Sequence, residues 1–146
     1  MIKTLLLIPL LAFATVSDLT DAKLNKVSDK DKLLFKIDAR TSTKDNSTEI
    51  KFFITPDKGY KWGADYNAKL TLNNGKKVVN FPKLKFSNKS GDFKPTSTSS
   101  VVVSIPAVGL RVGKETITGT LNCLICNDVL CRPYRNVEIE FPVVVE

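Results

Sequence analysis

Three cysteines close together in the chain, Cys123, Cys126 and Cys131, are the residues whose types and spacing best suit chemistry. Two thiols that approach closely can form a disulfide, and an accessible disulfide can exchange with thiols of another protein. The chain has no histidine, which removes histidine-based catalytic triads, the commonest general base and the commonest zinc ligand. The segment therefore indicates thiol–disulfide chemistry, with a copper(I) site of two or three thiolates as an alternative.

The spacing of the three cysteines favours one pairing. In a straight strand, Cys123 points to the same side as the apolar residues two positions away, so we expect it to be a small core residue. Cys126 lies where this alternation ends, and Cys131 lies just before the last strand begins. Two residues that flank such a corner can bring their Cα atoms within the roughly 4.4–6.8 Å that a disulfide requires. We therefore expect a bridge between Cys126 and Cys131.

A bridge at this corner can be redox active or structural. It closes a ring of about six residues, which stabilises a fold by only about 2 kcal/mol. It would also lie in a surface loop, and Arg132 beside Cys131 would favour the thiolate. The formal C-x-x-C of Cys123 and Cys126 is not the redox motif, because the two intervening residues continue a strand. From the residues alone, an exchanging disulfide and a small bridge in a non-catalytic binding module both remain open.

The elements that position the cysteines are strands, because apolar and polar residues alternate along most of the chain. Residues 33–39 and 50–54 flank a polar cluster and predict a hairpin. Asn73-Asn74-Gly75 predicts a second hairpin, whose return strand begins at Val78 and Val79. No helical period occurs, and the pattern predicts an all-β, immunoglobulin-like antiparallel β-sandwich of about seven or more strands.

The N-terminal residues have the pattern of a cleaved signal peptide. A positive start precedes an apolar run from Thr4 to Phe13, and Ala12-Phe13-Ala14 supplies the small residues of a cleavage site. The run is too short to span a bilayer, so we expect no stable membrane insertion. The predicted organisation is a signal peptide over 1–14, a polar lead-in over 15–32 and one sandwich domain over 33–146. We expect a soluble, exported mature protein.

The charge of the chain gives weaker information about partners. The chain carries 22 basic and 15 acidic residues, a formal net charge of +7. The lysines are scattered among apolar residues rather than grouped in a basic stripe with stacking aromatic residues, so we expect no nucleic-acid partner. Weak attraction to acidic lipid or to a negatively charged protein remains open.

The cysteine segment, residues 119–133, resembles the closing signature of the DsbD amino-terminal domain family, also called the disulfide bond corrector domain. That signature consists of a glycine, an alternating strand, two cysteines separated by a few polar residues, and a proline. Gly59-Tyr60-Lys61-Trp62 is similar to another segment of the family, with Lys61 where histidine is frequent, and Phe81-Pro82-Lys83 resembles its aromatic–proline element. The likeness covers roughly residues 33–145, and Cys123 is not part of the signature.

The resemblance implies an immunoglobulin-like sandwich that passes reducing equivalents through a cysteine pair in the periplasm, with secretion as the alternative location. Carried over to this chain, Cys126 and Cys131 are the redox pair. Asp92 and Phe93 belong to a cap loop that shields the pair, with Asp92 as a proton acceptor. The implied partners are thioredoxin-like or membrane-embedded redox proteins and oxidised periplasmic proteins, and no cofactor or metal is needed. We expect a partner thiolate to attack the bridge at Cys131 and to form a mixed disulfide.

Overall fold

A computed structural model describes residues 23–24, 33–44, 47–97 and 99–146 of the chain. These residues form eleven strands and no helix. In chain order the strands are β1 (Lys23–Leu24), β2 (Phe35–Lys44), β3 (Ser47–Pro56), β4 (Lys61–Trp62), β5 (Lys69–Leu72), β6 (Val79–Asn80), β7 (Lys85–Ser87), β8 (Phe93–Pro95), β9 (Val101–Gly109), β10 (Gly113–Cys126) and β11 (Cys131–Val145). The predicted signal peptide and most of the predicted lead-in lie outside the described residues.

The strands form two antiparallel sheets. The first, which we call the cysteine sheet, has the order β1-β11-β10-β5-β7, and β4 also pairs with β10. The second sheet has the order β2-β3-β9-β6, and β8 also pairs with β9. The second sheet corresponds to the A-B-E-D arrangement of an immunoglobulin domain, and β11-β10-β5 of the cysteine sheet corresponds to G-F-C, with β1 beside G and β7 beside C. The predicted β-sandwich is confirmed, and the cysteines lie at the end of the hairpin of its last two strands.

The core lies between the two sheets and follows the alternation of the sequence. Along β3, Ile50, Phe52 and Ile54 are buried, and their neighbours in the chain are mostly exposed. The Phe52 ring contacts the Phe141 ring of the cysteine sheet, with 5.6 Å between ring centroids. Each such buried side chain contributes about 1.5–3 kcal/mol relative to an exposed one. The hairpin of β10 and β11 is therefore anchored along its length by the core.

The predicted hairpin of β2 and β3 is confirmed, with Phe35 opposite Pro56 and Lys44 opposite Ser47. Its two strands are adjacent in the chain and each has one apolar face. Both features favour local antiparallel pairing. The pairing continues from β3 to β9, where Phe52 lies opposite Val103.

The predicted second hairpin at Asn73-Asn74-Gly75 is wrong. The strand that follows it, β6, pairs with β9 of the second sheet, while β5 pairs with β7 and β10. Neither Asn74 nor Gly75 has the positive φ that a two-residue type I′ turn requires. Instead, the Glu115 carboxylate accepts hydrogen bonds from the N–H groups of residues 76–78, over 2.7, 3.0 and 2.9 Å. This long-range contact and the burial of β6 outweigh the local turn preference.

Candidate functional site

The cysteine pair lies at the last ladder position of the hairpin formed by β10 and β11. Cys126 is directly opposite Cys131, and the two form a disulfide with an S–S distance of 2.01 Å and a Cα–Cα distance of 3.9 Å. One position closer to the tip, the Asn127 N–H donates a hydrogen bond to the Leu130 carbonyl over 2.9 Å. Ladder positions alternate, so the cysteines occupy a non-hydrogen-bonded position, where opposing side chains lie closest. The predicted pairing is confirmed.

The tip of the hairpin is held by a side chain as well as by the disulfide. Asn127 Oδ1 accepts hydrogen bonds from the backbone N–H groups of Val129 and Leu130, each over 2.8 Å. This is the asparagine turn that commonly fixes a tight loop. Because these hydrogen bonds do not involve sulfur, the tip keeps contacts that hold the two cysteines in register when the bridge opens.

The two cysteines differ in their access to solvent. Cys126 is only 8% exposed, whereas Cys131 is exposed. Beside Cys131, Val129 and Leu130 are 85% and 58% exposed, large values for apolar side chains. A thiolate that approaches the tip from solvent therefore meets Cys131 before Cys126, and it meets an apolar surface next to it.

Lys61 lies next to the disulfide, although it is distant from the cysteines in the chain. The short strand β4 pairs with the end of β10, with Lys61 opposite Cys126 and Trp62 opposite Ile125. Directly opposed residues point to the same face of a sheet, so Lys61, Cys126 and Cys131 lie side by side on three adjacent strands. In the sequence, Lys61 belongs only to the weakly matching segment Gly59-Tyr60-Lys61-Trp62. Its position beside Cys126 depends on sheet register, for which the sequence carries no local signal.

Arg132 follows Cys131 in the chain, but its side chain lies on the face of the sheet opposite to that of Cys131. It lies opposite Ile125, a core residue, and successive residues of a strand point to opposite faces. The Arg132 guanidinium lies over the ring of Tyr134, 5.4 Å from its centroid. The Tyr134 hydroxyl in turn accepts a hydrogen bond from the Leu34 N–H over 3.1 Å. The predicted effect of Arg132 on the thiolate of Cys131 stays a prediction. The backbone of β11 lies between the two side chains, so the guanidinium would have to act across it.

Asp92 and Phe93, the predicted cap residues, lie at the start of β8. Phe93 is buried and stacks on Trp62 with 5.3 Å between ring centroids. The Asp92 carboxylate accepts hydrogen bonds from Lys83 Nζ and from the Ser87 N–H, each over 2.9 Å. Burial opposes ionisation, but these hydrogen bonds and the nearby lysine charges hold the pKa of Asp92 below its usual value. A carboxyl held in this way is ionised at neutral pH and is a weak proton acceptor. The role of the two residues as a cap stays a prediction.

Cys123 is separated from the other two cysteines by the sheet itself. It is fully buried and unpaired, and its expected place in the core is confirmed. Burial raises the pKa of the Cys123 thiol to about 12, so the thiol stays protonated and unreactive. Cys123 points into the core, whereas Cys126 points to the other face. Within the described residues, no three or more histidine, cysteine, aspartate or glutamate side chains are grouped as a metal site.

A β-bulge lies further along the same hairpin, a feature that the sequence analysis missed. The register of β10 and β11 shifts between Leu121 and Cys123. Asn136 has a positive φ of 52° there, and its N–H donates a hydrogen bond to Asn122 Oδ1. An open groove of about 320 Å³ beside the bulge is lined by Tyr66, Asn67, Lys69, Asn122, Arg135 and Asn136. Bulges increase local twist, so this one helps to set the direction in which the cysteine end of the hairpin projects.

Comparisons of the chain with protein-family models, with curated proteins and with solved structures give no match. No helix among the described residues is long and apolar enough to cross a membrane. An immunoglobulin-like sandwich supports many unrelated functions, so the fold alone does not assign one. The cysteine pair and its surroundings are the part of the molecule whose chemistry indicates a function.

Proposed function

We propose that the chain is a thiol–disulfide exchange protein of the DsbD amino-terminal domain type. In this proposal it acts in the periplasm and passes reducing equivalents between partner proteins through Cys126 and Cys131. The observation that carries the proposal is the placement of the disulfide. It joins directly opposed residues at an exposed hairpin tip, and Asn127 holds that tip through hydrogen bonds of its own. A bridge in this position can open and close without rearranging the core.

The proposed exchange conserves electrons and protons in two steps. A partner thiolate attacks Sγ of Cys131, the S–S bond breaks, and its electron pair leaves on Sγ of Cys126. A second thiolate of the partner then attacks the partner sulfur of this mixed disulfide and releases Cys131. Two electrons have passed to the domain, which takes up two protons as a dithiol, and the partner is left with a disulfide. The same steps in reverse reduce an oxidised protein. The donors are thioredoxin-like or membrane-embedded redox proteins.

The apolar residues beside Cys131 provide a contact surface for a protein partner. Val129 and Leu130 are exposed at the tip of the hairpin, whereas the apolar residues further along its two strands are buried in the core. Exposed apolar residues that border a reactive group are typical of sites where another protein docks. Such contacts hold the partner's sulfur in line with the disulfide, which a small-molecule thiol does not require.

The experiment that tests the proposal is the equilibrium redox potential of the purified domain in glutathione buffers. A value between about −120 and −300 mV supports exchange, because known exchange proteins fall in this range. A value below about −300 mV indicates an inert structural bridge and refutes the proposal in favour of a non-catalytic binding module.

A kinetic comparison tests the contact surface. Replacing Val129 and Leu130 by serine should remove about 1.4 kcal/mol of docking contacts and so slow reduction by a thioredoxin-like protein about tenfold. Reduction by dithiothreitol should stay unchanged. Val112 is 76% exposed in the loop before β10, at the opposite end of that strand, so Val112→Ser is the matched control. Equal slowing with both reductants would show that the two residues shape the disulfide rather than the docking surface.

A further inference from the structure

We propose that Lys61 is a positioning residue that stabilises Cys126 as the leaving thiolate and thereby directs attack to Cys131. The inference deepens the proposed function and rests on it for its biological meaning. It assigns a role in the exchange chemistry to a strand that does not belong to the cysteine hairpin.

The geometry of β4 carries this inference. The Gly63 N–H donates a hydrogen bond to the Leu124 carbonyl over 2.8 Å, so Gly63 and Leu124 occupy a hydrogen-bonded position. Two residues further along, Lys61 and Cys126 occupy the next position of that kind. Opposed residues there have Cα atoms about 5.5 Å apart and side chains on the same face. The β-carbons of Lys61 and Cys126 therefore start side by side, and the flexible lysine side chain can bring its ammonium to Sγ of Cys126.

The electrostatic surroundings leave Lys61 available for this role. It forms no ion pair within the part of the chain that the structure describes. The residues on the same face next to the disulfide, Leu124 on β10 and Pro133 on β11, carry no charge. Asp128 is exposed at the tip, and Arg132 leaves β11 on the opposite face. Lys61 is thus the charged group in ladder register with the disulfide.

The burial of Cys126 gives this charge its effect. Cys126 is 8% exposed, and a thiolate formed there loses much of its hydration, which disfavours the charged form. A nearby cation compensates for that loss, and a better-stabilised leaving thiolate departs faster. Attack in the other direction would release the thiolate of exposed Cys131, further from Lys61. Solvent access and charge therefore favour the same direction of attack, in which the partner thiolate attacks Cys131 and Cys126 is released as the thiolate.

The test uses the Cys131→Ser variant, in which Cys126 is the only thiol left at the hairpin tip and has no disulfide partner. The rate of Cys126 alkylation by iodoacetamide is measured against pH, with the modified peptide identified by mass spectrometry. Cys123 does not interfere, because it is 0% exposed against 8% for Cys126 and burial raises the pKa of its thiol to about 12. Adding Lys61→Met, which keeps the apolar stem and removes the charge, should move the midpoint of the profile to higher pH by about 0.5–1 unit. Lys61→Arg should restore the original midpoint, which a merely structural role for the side chain would not require.

Lys69→Met is the matched control, because Lys69 is an exposed lysine on the neighbouring strand β5. It lies opposite Asn122, four residues from Cys126 on β10, which corresponds to about 13 Å along the strand. That distance exceeds the Debye length of about 8–10 Å at moderate ionic strength, so the control should leave the midpoint unchanged. An unchanged midpoint in Lys61→Met, or an equal shift in Lys69→Met, would overturn the inference.

The outcome for Lys61 is separable from the outcome for the proposed function. The alkylation profile needs no partner and no redox cycle. A shifted midpoint together with a redox potential below about −300 mV would support the Lys61 contact and refute exchange. An unshifted midpoint together with a potential in the exchange range would refute the role of Lys61 and leave exchange supported.

Discussion

Removal of the Cys126–Cys131 bridge should cost a small and calculable amount of stability. The bridge closes a ring of six residues, since the cysteines are separated by 5 in sequence. The loop-closure expression for such a ring gives an entropy loss in the unfolded chain of about 7 cal/mol/K, or about 2 kcal/mol at 25 °C. A domain of this size has a total stability of about 5–15 kcal/mol. The Cys126→Ser/Cys131→Ser variant should therefore remain folded and lose about 2 kcal/mol.

The structure explains why the loss should stop there. The pairing of β10 with β11 continues to Val145, far from the bridge, and the contact between Phe52 and Phe141 crosses the core without it. Asn127 holds the tip through two hydrogen bonds of its own. The cost therefore arises in the unfolded chain rather than in lost contacts of the folded one, and the denaturant dependence of the unfolding free energy should change little.

The assay is urea unfolding followed by the fluorescence of Trp62, the only tryptophan of the chain. Oxidised wild type, wild type in excess dithiothreitol and the double serine variant are compared. The last two should share one urea midpoint. In thermal unfolding, their melting temperature should lie roughly 5–10 °C below that of the oxidised protein. Unfolding of the reduced protein, or a loss greater than about 4 kcal/mol, would contradict the reasoning. A dithiol state that cannot fold also cannot carry electrons, so this result would count against exchange as well.

Two further predictions concern the scaffold. Burial raises the pKa of Glu115, but the hydrogen bonds from the N–H groups of residues 76–78 lower it by a larger amount. The pKa of Glu115 in the folded protein therefore lies below the ordinary 4.5. The contact should therefore stabilise the fold fully above about pH 4.5 and progressively less as pH falls through the lowered pKa of the folded state. Glu115→Gln should cost roughly 1–2 kcal/mol at pH 7 and should flatten the pH dependence of urea unfolding below pH 5. An equally steep dependence in the variant would exclude this carboxylate as its source. A β-carbon on Gly119 would lie 2.4 Å from the Thr71 carbonyl oxygen, so Gly119→Ala should cost about 1–3 kcal/mol. An unchanged melting temperature would show that β5 and β10 can separate freely there.

The architecture and the cysteine pairing were predictable because they depend on local features of the chain. Alternation over β2 and β3 sets the buried face of each strand, and their short connection makes them neighbours. Cys126 and Cys131 flank one tight corner, so few arrangements of that corner keep them apart. Cys123 follows the apolar parity of β10, and its burial followed from that parity.

Long-range register required the three-dimensional structure. Asn73-Asn74-Gly75 has a strong local preference for a hairpin, but Glu115 from a remote strand binds the following backbone and β6 is buried in the other sheet. Lys61 lies beside Cys126 because β4 occupies the part of the β10 edge that β5 leaves open. Alternation determines which face a residue occupies, but it does not determine the partner opposite. That choice depends on the burial of both sheets together, and it placed a lysine rather than the adjacent arginine next to the disulfide.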